Sequence, residues 1–364
     1  MSDLPASYPT QHLGRAFTNW LIPYVKSRLF PNQFRPLIAY LMTEEDCNLD
    51  CHYCWVKRRG GTCMSETTAM DALDWLRANG CRVVALMGGE PLLRRELVTR
   101  VVRYGSARGF FMYLPTNGVL LDEDYIDELG HAGVASINLG VDVLTPKPGL
   151  PKAFSSIERQ FSYLLKQQRR YGYMVLFTIN VCRNNLYDVQ ELVEIANRRA
   201  VPVDIHVNEP PYLEQSAFAY VDDNPTFIRK EDIRQVDAVL NWLMDKNMQG
   251  YRMVNSREHL RRMKDFIRGK SYPWNCRAGR NSCVVKPDGA LSPCLPLCGS
   301  KHDWGRITHP QFGHRHLAEL GKVCNPHCMS TCQYVMSYYY NDANIVRWIV
   351  AQGLRQINSE RKQA

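Results

Sequence analysis

Six short apolar runs between residues 36 and 208 are separated by five amphipathic stretches of helical period. The runs read PLIAYLM (36–42), RVVALMGG (82–89), GFFMYLPT (109–116), ASINLGVD (135–142), MVLFTIN (174–180) and PVDIHVN (202–208). The stretches between them repeat apolar residues at helical spacing. One carries Met70, Leu73 and Leu76 after Ser65 and stops at Gly80, and the next carries Leu97, Val98, Val101 and Val102. Ile126 with Leu129, Phe161 with Tyr163 and Leu164, and Val189 with Leu192 and Ile195 mark the rest. Strand–helix repetition of this kind predicts an α/β fold with a parallel sheet, open or curled into a partial (β/α)6 TIM-like barrel.

Such sheets bind ligands beyond the C-terminal ends of their strands, and the unusual residues fall there. CNLDCHYC (47–54) follows the first run and Gly88-Gly89-Glu90-Pro91 the second. Thr116-Asn117-Gly118 follows the third, Asp142 closes the fourth, and Asn180 ends the fifth. His206, Asn208 and Glu209 end the sixth. Any one of these reads as a turn residue; six in register mark a site.

Thirteen cysteines are the compositional excess. The N-terminus lacks the pattern of a signal peptide and no apolar run is long enough to span a membrane, so a cytoplasmic location is expected. In a reducing compartment grouped thiols point to metal rather than disulfides. Three fall at 47–54 and seven between Cys276 and Cys332, while Cys63, Cys81 and Cys182 read as small buried hydrophobes. The net charge of +9 is modest and its pairs, such as Arg169-Arg170 and Arg198-Arg199, read as solvated helix faces. No nucleic-acid partner is expected.

The expected organisation has an amphipathic helical segment at 1–35, the barrel at 36–225, a helical connector at 226–268, a cluster domain at 269–340 and a C-terminal helix at 341–364. In the first segment Leu13, Phe17, Trp20, Leu21, Tyr24 and Val25 recur at helical spacing with Lys26 and Arg28. Packing on the barrel is its first reading, and peripheral membrane contact through residues 13–30 the alternative. In the cluster domain Val284-Val285 and Ala290-Leu291 flank Pro287-Asp288-Gly289, a β-hairpin signal with cysteines on both sides.

Zinc sites pair two close cysteines with a second pair elsewhere, whereas a cubane takes one thiolate on each of its irons. Three thiols at C-x3-C-x2-C spacing therefore suit a cubane with one iron left open. With Tyr53 before the last cysteine and Gly88-Gly89-Glu90-Pro91 after the next strand, residues 36–208 resemble the radical S-adenosylmethionine (SAM) superfamily. The resemblance implies that Cys47, Cys51 and Cys54 hold a 4Fe–4S cluster whose open iron chelates SAM. It implies that Gly88, Gly89 and Glu90 take the methionine amino group, with Tyr53, Thr116 and Asn117 nearby. Reductive cleavage would give a 5′-deoxyadenosyl radical that removes a substrate hydrogen atom, fed by an external donor of flavodoxin or ferredoxin type. Where relatives often read SLD this chain has NLGVD, so Asp142 corresponds and Gly140 replaces the serine. Asn138 is then a candidate for the ribose contact, and Asn180, His206 and Glu209 for ribose or substrate.

Cys276-x12-Gly289-x4-Cys294 is similar to the opening of SPASM and twitch auxiliary domains. By that likeness Cys276, Cys283 and Cys294, with Cys332 as fourth ligand, hold one auxiliary 4Fe–4S cluster. Cys298, Cys324 and Cys328 are left over, or belong to a second, incompletely ligated cluster that His327 could complete. Such a cluster would assist a net oxidation or bond formation. The substrate expected is a small metabolite, such as a sugar or nucleoside, or a peptide, although the 46 residues ahead of Cys47 are few for a leader-binding domain. A membrane lipid or isoprenoid is the alternative, and a non-catalytic iron–sulfur electron carrier the alternative of another class.

Overall fold

The strands form because their odd and even positions serve two different apolar environments, and the computed structural model shows both. It describes residues 10–54, 60–208, 224–270, 274–298 and 301–341. Strands β1 (Ile38–Glu44), β2 (Val83–Gly88), β3 (Phe111–Thr116), β4 (Ser136–Gly140), β5 (Met174–Val181) and β6 (Val203–Val207) pair in chain order, all parallel. Ala39, Leu41, Val84, Leu86, Met112, Ile137, Phe177 and Ile205 lie in the main core, under the helices. Ile38, Tyr40, Met42, Val83, Ala85 and Phe111 form a second cluster on the opposite, concave face. Alternation at period two puts both sets on the same strands.

The crossover helices are α2 (Glu66–Ala78), α3 (Arg95–Ala107), α4 (Glu123–Ala132), α5 (Glu158–Tyr171) and α6 (Leu186–Arg198), preceded by α1 (Thr10–Leu29). Ser65 caps α2 by accepting the Thr68 N–H at 3.0 Å, and Asp122 caps α4 through the Tyr125 N–H. The expected faces are the buried ones: Leu73 and Leu76 in α2, Val98, Val101 and Val102 in α3, Ile126 and Leu129 in α4. Helix α1 rests on the barrel through buried Tyr24 and Ser27, and Asn19 donates to the Gly109 carbonyl at 3.2 Å. No described helix is long and apolar enough to cross a membrane.

After β6 come α7 (Ile233–Met248) and α8 (Arg257–Ile267), then a hairpin of β7 (Ser282–Val285) and β8 (Leu291–Ser292). Its turn closes as its residues dictate, with Gly289 left-handed at φ +81° and Asp288 accepting the Ala290 N–H at 3.0 Å. The hairpin does not stand apart from the barrel. Strand β7 pairs parallel with β1, Ile38 opposite Ser282, so the sheet runs β6-β5-β4-β3-β2-β1-β7-β8. A small ladder of β9 (Gly305–Arg306) and β10 (His309–Pro310) leads to α9 (His314–Cys324) and α10 (Thr331–Asn341). Glu209 and the expected helical residues 342–364 lie outside the described residues.

Candidate active site

The cysteine loop leaves β1 and is strapped at once to the end of β2. The Gly89 N–H donates to the Glu44 carbonyl at 2.7 Å and the Glu90 N–H to the Asp46 carbonyl at 2.8 Å. Backbones this close leave no room for side chains: a Cβ on Gly88 would stand 1.8 Å from the Glu44 oxygen, and one on Gly89 2.0 Å from the Asp46 oxygen. Gly88 also has φ +154°. The glycine pair is thus required by the seam between two strand ends. The Glu44 carboxylate, fully buried, accepts the N–H groups of Glu45 and Asp46 and pairs with Arg94.

Glu90 is 1% exposed. Its carboxylate accepts the Leu92 N–H at 3.0 Å, the Thr116 hydroxyl at 2.7 Å and the Asn117 N–H at 2.8 Å, so β2 and β3 meet on it. Burial pushes its carboxyl above the ordinary value despite these donors. The Asn117 amide in turn donates to Asn48, inside the cysteine loop, at 2.8 Å. His52 holds the other side of the loop, its N–H on the Gly149 carbonyl at 3.0 Å and its own carbonyl bonded by Asn224.

The Tyr53 hydroxyl donates to Asp142 at 2.5 Å, and the second Asp142 oxygen accepts the Asn180 N–H at 2.9 Å. The Asn180 amide donates to Asn208. Asn185, missed in sequence, bonds the carbonyls of both Asp142 and Asn180 at 2.8 Å. Tyr53, Asp142 and Asn180 are therefore a scaffold tying the loop to β4 and β5.

Lys152 is the other residue the sequence did not single out. It comes from the loop after β4 and stands over the Tyr53 ring at 5.5 Å. Burial opposes its charge, but Cys51, Asp142, Cys54 and Cys47 together hold its pKa above the usual value. No spacing rule could have found it, since a long loop decides where it returns. Burial also pushes the Cys51 thiol up to about 12, so the loop must lose protons when it takes up metal.

Asn138 and His206 lie deeper on the concave face. The Asn138 amide donates to the Tyr113 hydroxyl and, at 2.5 Å, to Thr178. The His206 Nε2 stands 3.2 Å from Asp204.

At the far end the expected cysteines sit in different surroundings. The Trp274 indole donates to the Cys328 carbonyl at 3.1 Å and the Asn325 amide to the Trp274 carbonyl at 3.0 Å, bringing segment 274–276 to 324–328. Burial, then Cys276, Cys328 and Cys324, push the Cys294 thiol up, and Cys324 acts on Cys276 as well. Cys283 does not join them. On β7 it faces the main core, 1% exposed, with the buried thiol of Cys81 nearby. Cys332 projects from α10 into the concave-face cluster beside Tyr40, and Cys298 stands 3.5 Å from the Met42 sulfur there. Of the three isolated cysteines, Cys81 and Cys182 are buried, whereas Cys63 is exposed. Among the described residues no three such side chains are grouped as around a single ion. A cubane makes a different demand, one thiolate on each of separate irons. Three loop thiols beside a cation, and a buried carboxylate beside a glycine seam, fit a cluster and an amine-bearing cosubstrate.

A parallel barrel with this rim defines a class, and comparison with known proteins agrees. Residues 45–207 match the Radical SAM superfamily model. The chain carries a radical SAM domain, which implies a 4Fe–4S cluster and SAM as cofactors. The AdoMet-dependent heme synthase of Methanosarcina barkeri is 29% identical over 168 residues, 44% of this chain and 46% of that protein. The GTP 3′,8-cyclase of Synechocystis sp. is 30% identical over 159 residues, 42% of this chain and 48% of the cyclase. The chain thus spans about half the length of these curated relatives. In fold it is similar to Streptococcus suis SuiB bound to S-adenosylmethionine, with TM-score 0.60 and 16% identity over 86% of this chain and 76% of SuiB. It is also similar to native anSMEcpe with bound AdoMet and Kp18Cys peptide, with TM-score 0.58 and 16% identity over 86% of this chain and 99% of that one.

Proposed function

We propose that this chain is a radical SAM enzyme that removes a hydrogen atom from its substrate and completes a net oxidation or bond formation with one auxiliary cluster. The observation that carries the reading is the seam at the rim, where the Gly88-Gly89-Glu90 turn and the cysteine loop are bonded backbone to backbone. An electron carrier has no use for a buried carboxylate held by three donors next to its cluster loop.

Cys47, Cys51 and Cys54 would hold the cluster, and Lys152 would offset the negative charge of their thiolates. Gly88, Gly89 and Glu90 would seat the cosubstrate amino group, with Thr116 and Asn117 fixing the Glu90 rotamer. Tyr53, Asp142 and Asn180 would hold the loop in register with the sheet. When bound, cluster and SAM supply a 5′-deoxyadenosyl radical. The chain's own task is to place substrate beneath the rim and exclude water and other hydrogen donors. Cys276, Cys294, Cys324 and Cys328 are the proposed auxiliary ligands, supported by their convergence at the end of α9. The substrate is a small molecule or a peptide, and an external reductant supplies electrons.

The test is anaerobic reconstitution followed by dithionite and SAM. Wild-type protein should form 5′-deoxyadenosine and Cys51→Ala should form none. Equal formation by both, or none by either in cluster-loaded protein, returns the chain to the electron-carrier reading.

A further inference from the structure

We infer that the barrel lumen below the rim is a pocket for a small hydroxylated amine, with the ammonium group on Asp204 and a hydroxyl on Asn138. The inference rests on the rim being the radical site. The lumen is identified by alternation: Val203, Ile205 and Val207 pack under the helices, so Asp204 and His206 face the other way. By the same rule Asn138 projects inward between Ile137 and Leu139, Tyr113 between Met112 and Leu114, and Thr178 between Phe177 and Ile179. Tyr40 lines the facing wall.

Four buried polar atoms there lack a partner among the described residues: one oxygen each of Asn138 and Asp204, the Ser136 hydroxyl on the same face of β4, and the Nε2 of His259, whose ring lies in the field of Asp204. Asn138 is 3% exposed and spends its amide on Tyr113 and Thr178, which leaves its buried carbonyl oxygen without a partner among the described residues. Asp204 turns one oxygen to His206 and has its other oxygen, also buried, without a partner. Buried acceptors left unpaired are costly unless something donates to them. The Asn138 and Asp204 oxygens can only accept, the Ser136 hydroxyl can also accept, and one of the three sites is a carboxylate, so an occupant that donates to them is the best match, and a cation donates best. The described inward positions of β1 to β6 carry no lysine or arginine, and the nearest cation, Lys152 beside Gly140, is already in the field of Asp142 and the loop cysteines, so a phosphate finds no uncommitted cation among them. An anionic substrate such as a nucleoside triphosphate is disfavoured by the Asp204 carboxylate.

Isothermal titration calorimetry on the reconstituted, anaerobic holoenzyme tests this with glucosamine and galactosamine as amine probes. N-acetylglucosamine serves as the neutral probe, GTP as the anionic one, and a glycine–serine hexapeptide as the peptide. The amino sugars should bind at least about tenfold more tightly than N-acetylglucosamine. Asp204→Asn should erase that preference while iron content and thermal midpoint stay unchanged. Equal binding of amine and amide by wild-type protein overturns the inference, as does tighter binding of GTP or peptide, or no binding by either amino sugar. The wild-type comparison decides the matter even if Asp204→Asn does not fold. Failure of 5′-deoxyadenosine formation would instead remove the function reading and leave the calorimetry standing.

Discussion

Lys152 is where a single side chain sets the electrostatics of the site. It stands within the field of Cys47, Cys51 and Cys54, and those thiols with Asp142 raise its pKa, so it remains protonated throughout the working range. A fixed cation next to a cluster favours the more negative, reduced state. Lys152→Met should therefore lower the potential of the loop cluster by on the order of 100 mV, from the interaction of one unit charge at short range in a partly screened site. A redox titration followed by electron paramagnetic resonance measures it, and an unchanged potential would place the lysine's charge elsewhere. Sequence showed Cys47, Cys51, Cys54, Gly88, Gly89 and Glu90 because each lies at a fixed offset from a strand. It could not show Lys152, whose position depends on the path of the 143–153 loop.

At the scale of elements the C-terminal cysteines divide by the face of the element that carries them. Alternation on β7 turns Cys283 into the main core, and α10 turns Cys332 toward Tyr40. Iron per chain should stay near eight in Cys283→Ala and Cys332→Ala, and fall to about four in Cys294→Ala or Cys328→Ala. Iron and sulfide analysis of anaerobically reconstituted variants reads this out, and loss of iron in Cys332→Ala would restore the expected ligand set. Sequence spacing resembled a known segment closely enough to suggest Cys276, Cys283 and Cys294, with Cys332 as the fourth. It said nothing about which face the later cysteines would present.

The contact between α8 and α10 adds a pH dependence. His259, 1% exposed, stacks on Tyr334 at 4.6 Å. Burial, partly opposed by Asp204 and reinforced by His206, pushes its pKa down to about 3. The native state keeps this imidazole neutral while the unfolded chain protonates it near 6.5, so stability is lost as pH falls from about 6.5 toward 3. Between pH 7 and pH 5 the wild type should lose about 2 kcal/mol more than His259→Phe, as measured by anaerobic urea titrations. Equal losses would mean that the imidazole takes up its proton in the folded state.

For the whole molecule the decisive pairing is β7 with β1. It makes the hairpin part of the barrel sheet, reinforced by the Leu37 N–H donating to the Asn281 carbonyl at 2.6 Å. A chain stopped after residue 270 would expose the β1 edge along its length, and open edges of this kind pair with other chains. Such a truncation should aggregate or elute as an oligomer on size-exclusion chromatography; a monomer would show that the β1 edge does not need the hairpin as cover. What the sequence determined by itself was local and periodic: six strands, their helices, the rim at the strand ends, the glycine seam and the three-thiol loop. Period two, period 3.6 and fixed motif spacing are written along the chain. The tertiary structure alone decided the surroundings of each C-terminal cysteine, where Lys152 returns, that β7 pairs with β1, and that Asp204 and Asn138 share the inward side of the sheet. Those are encounters between residues far apart in sequence, fixed by packing rather than by any local pattern.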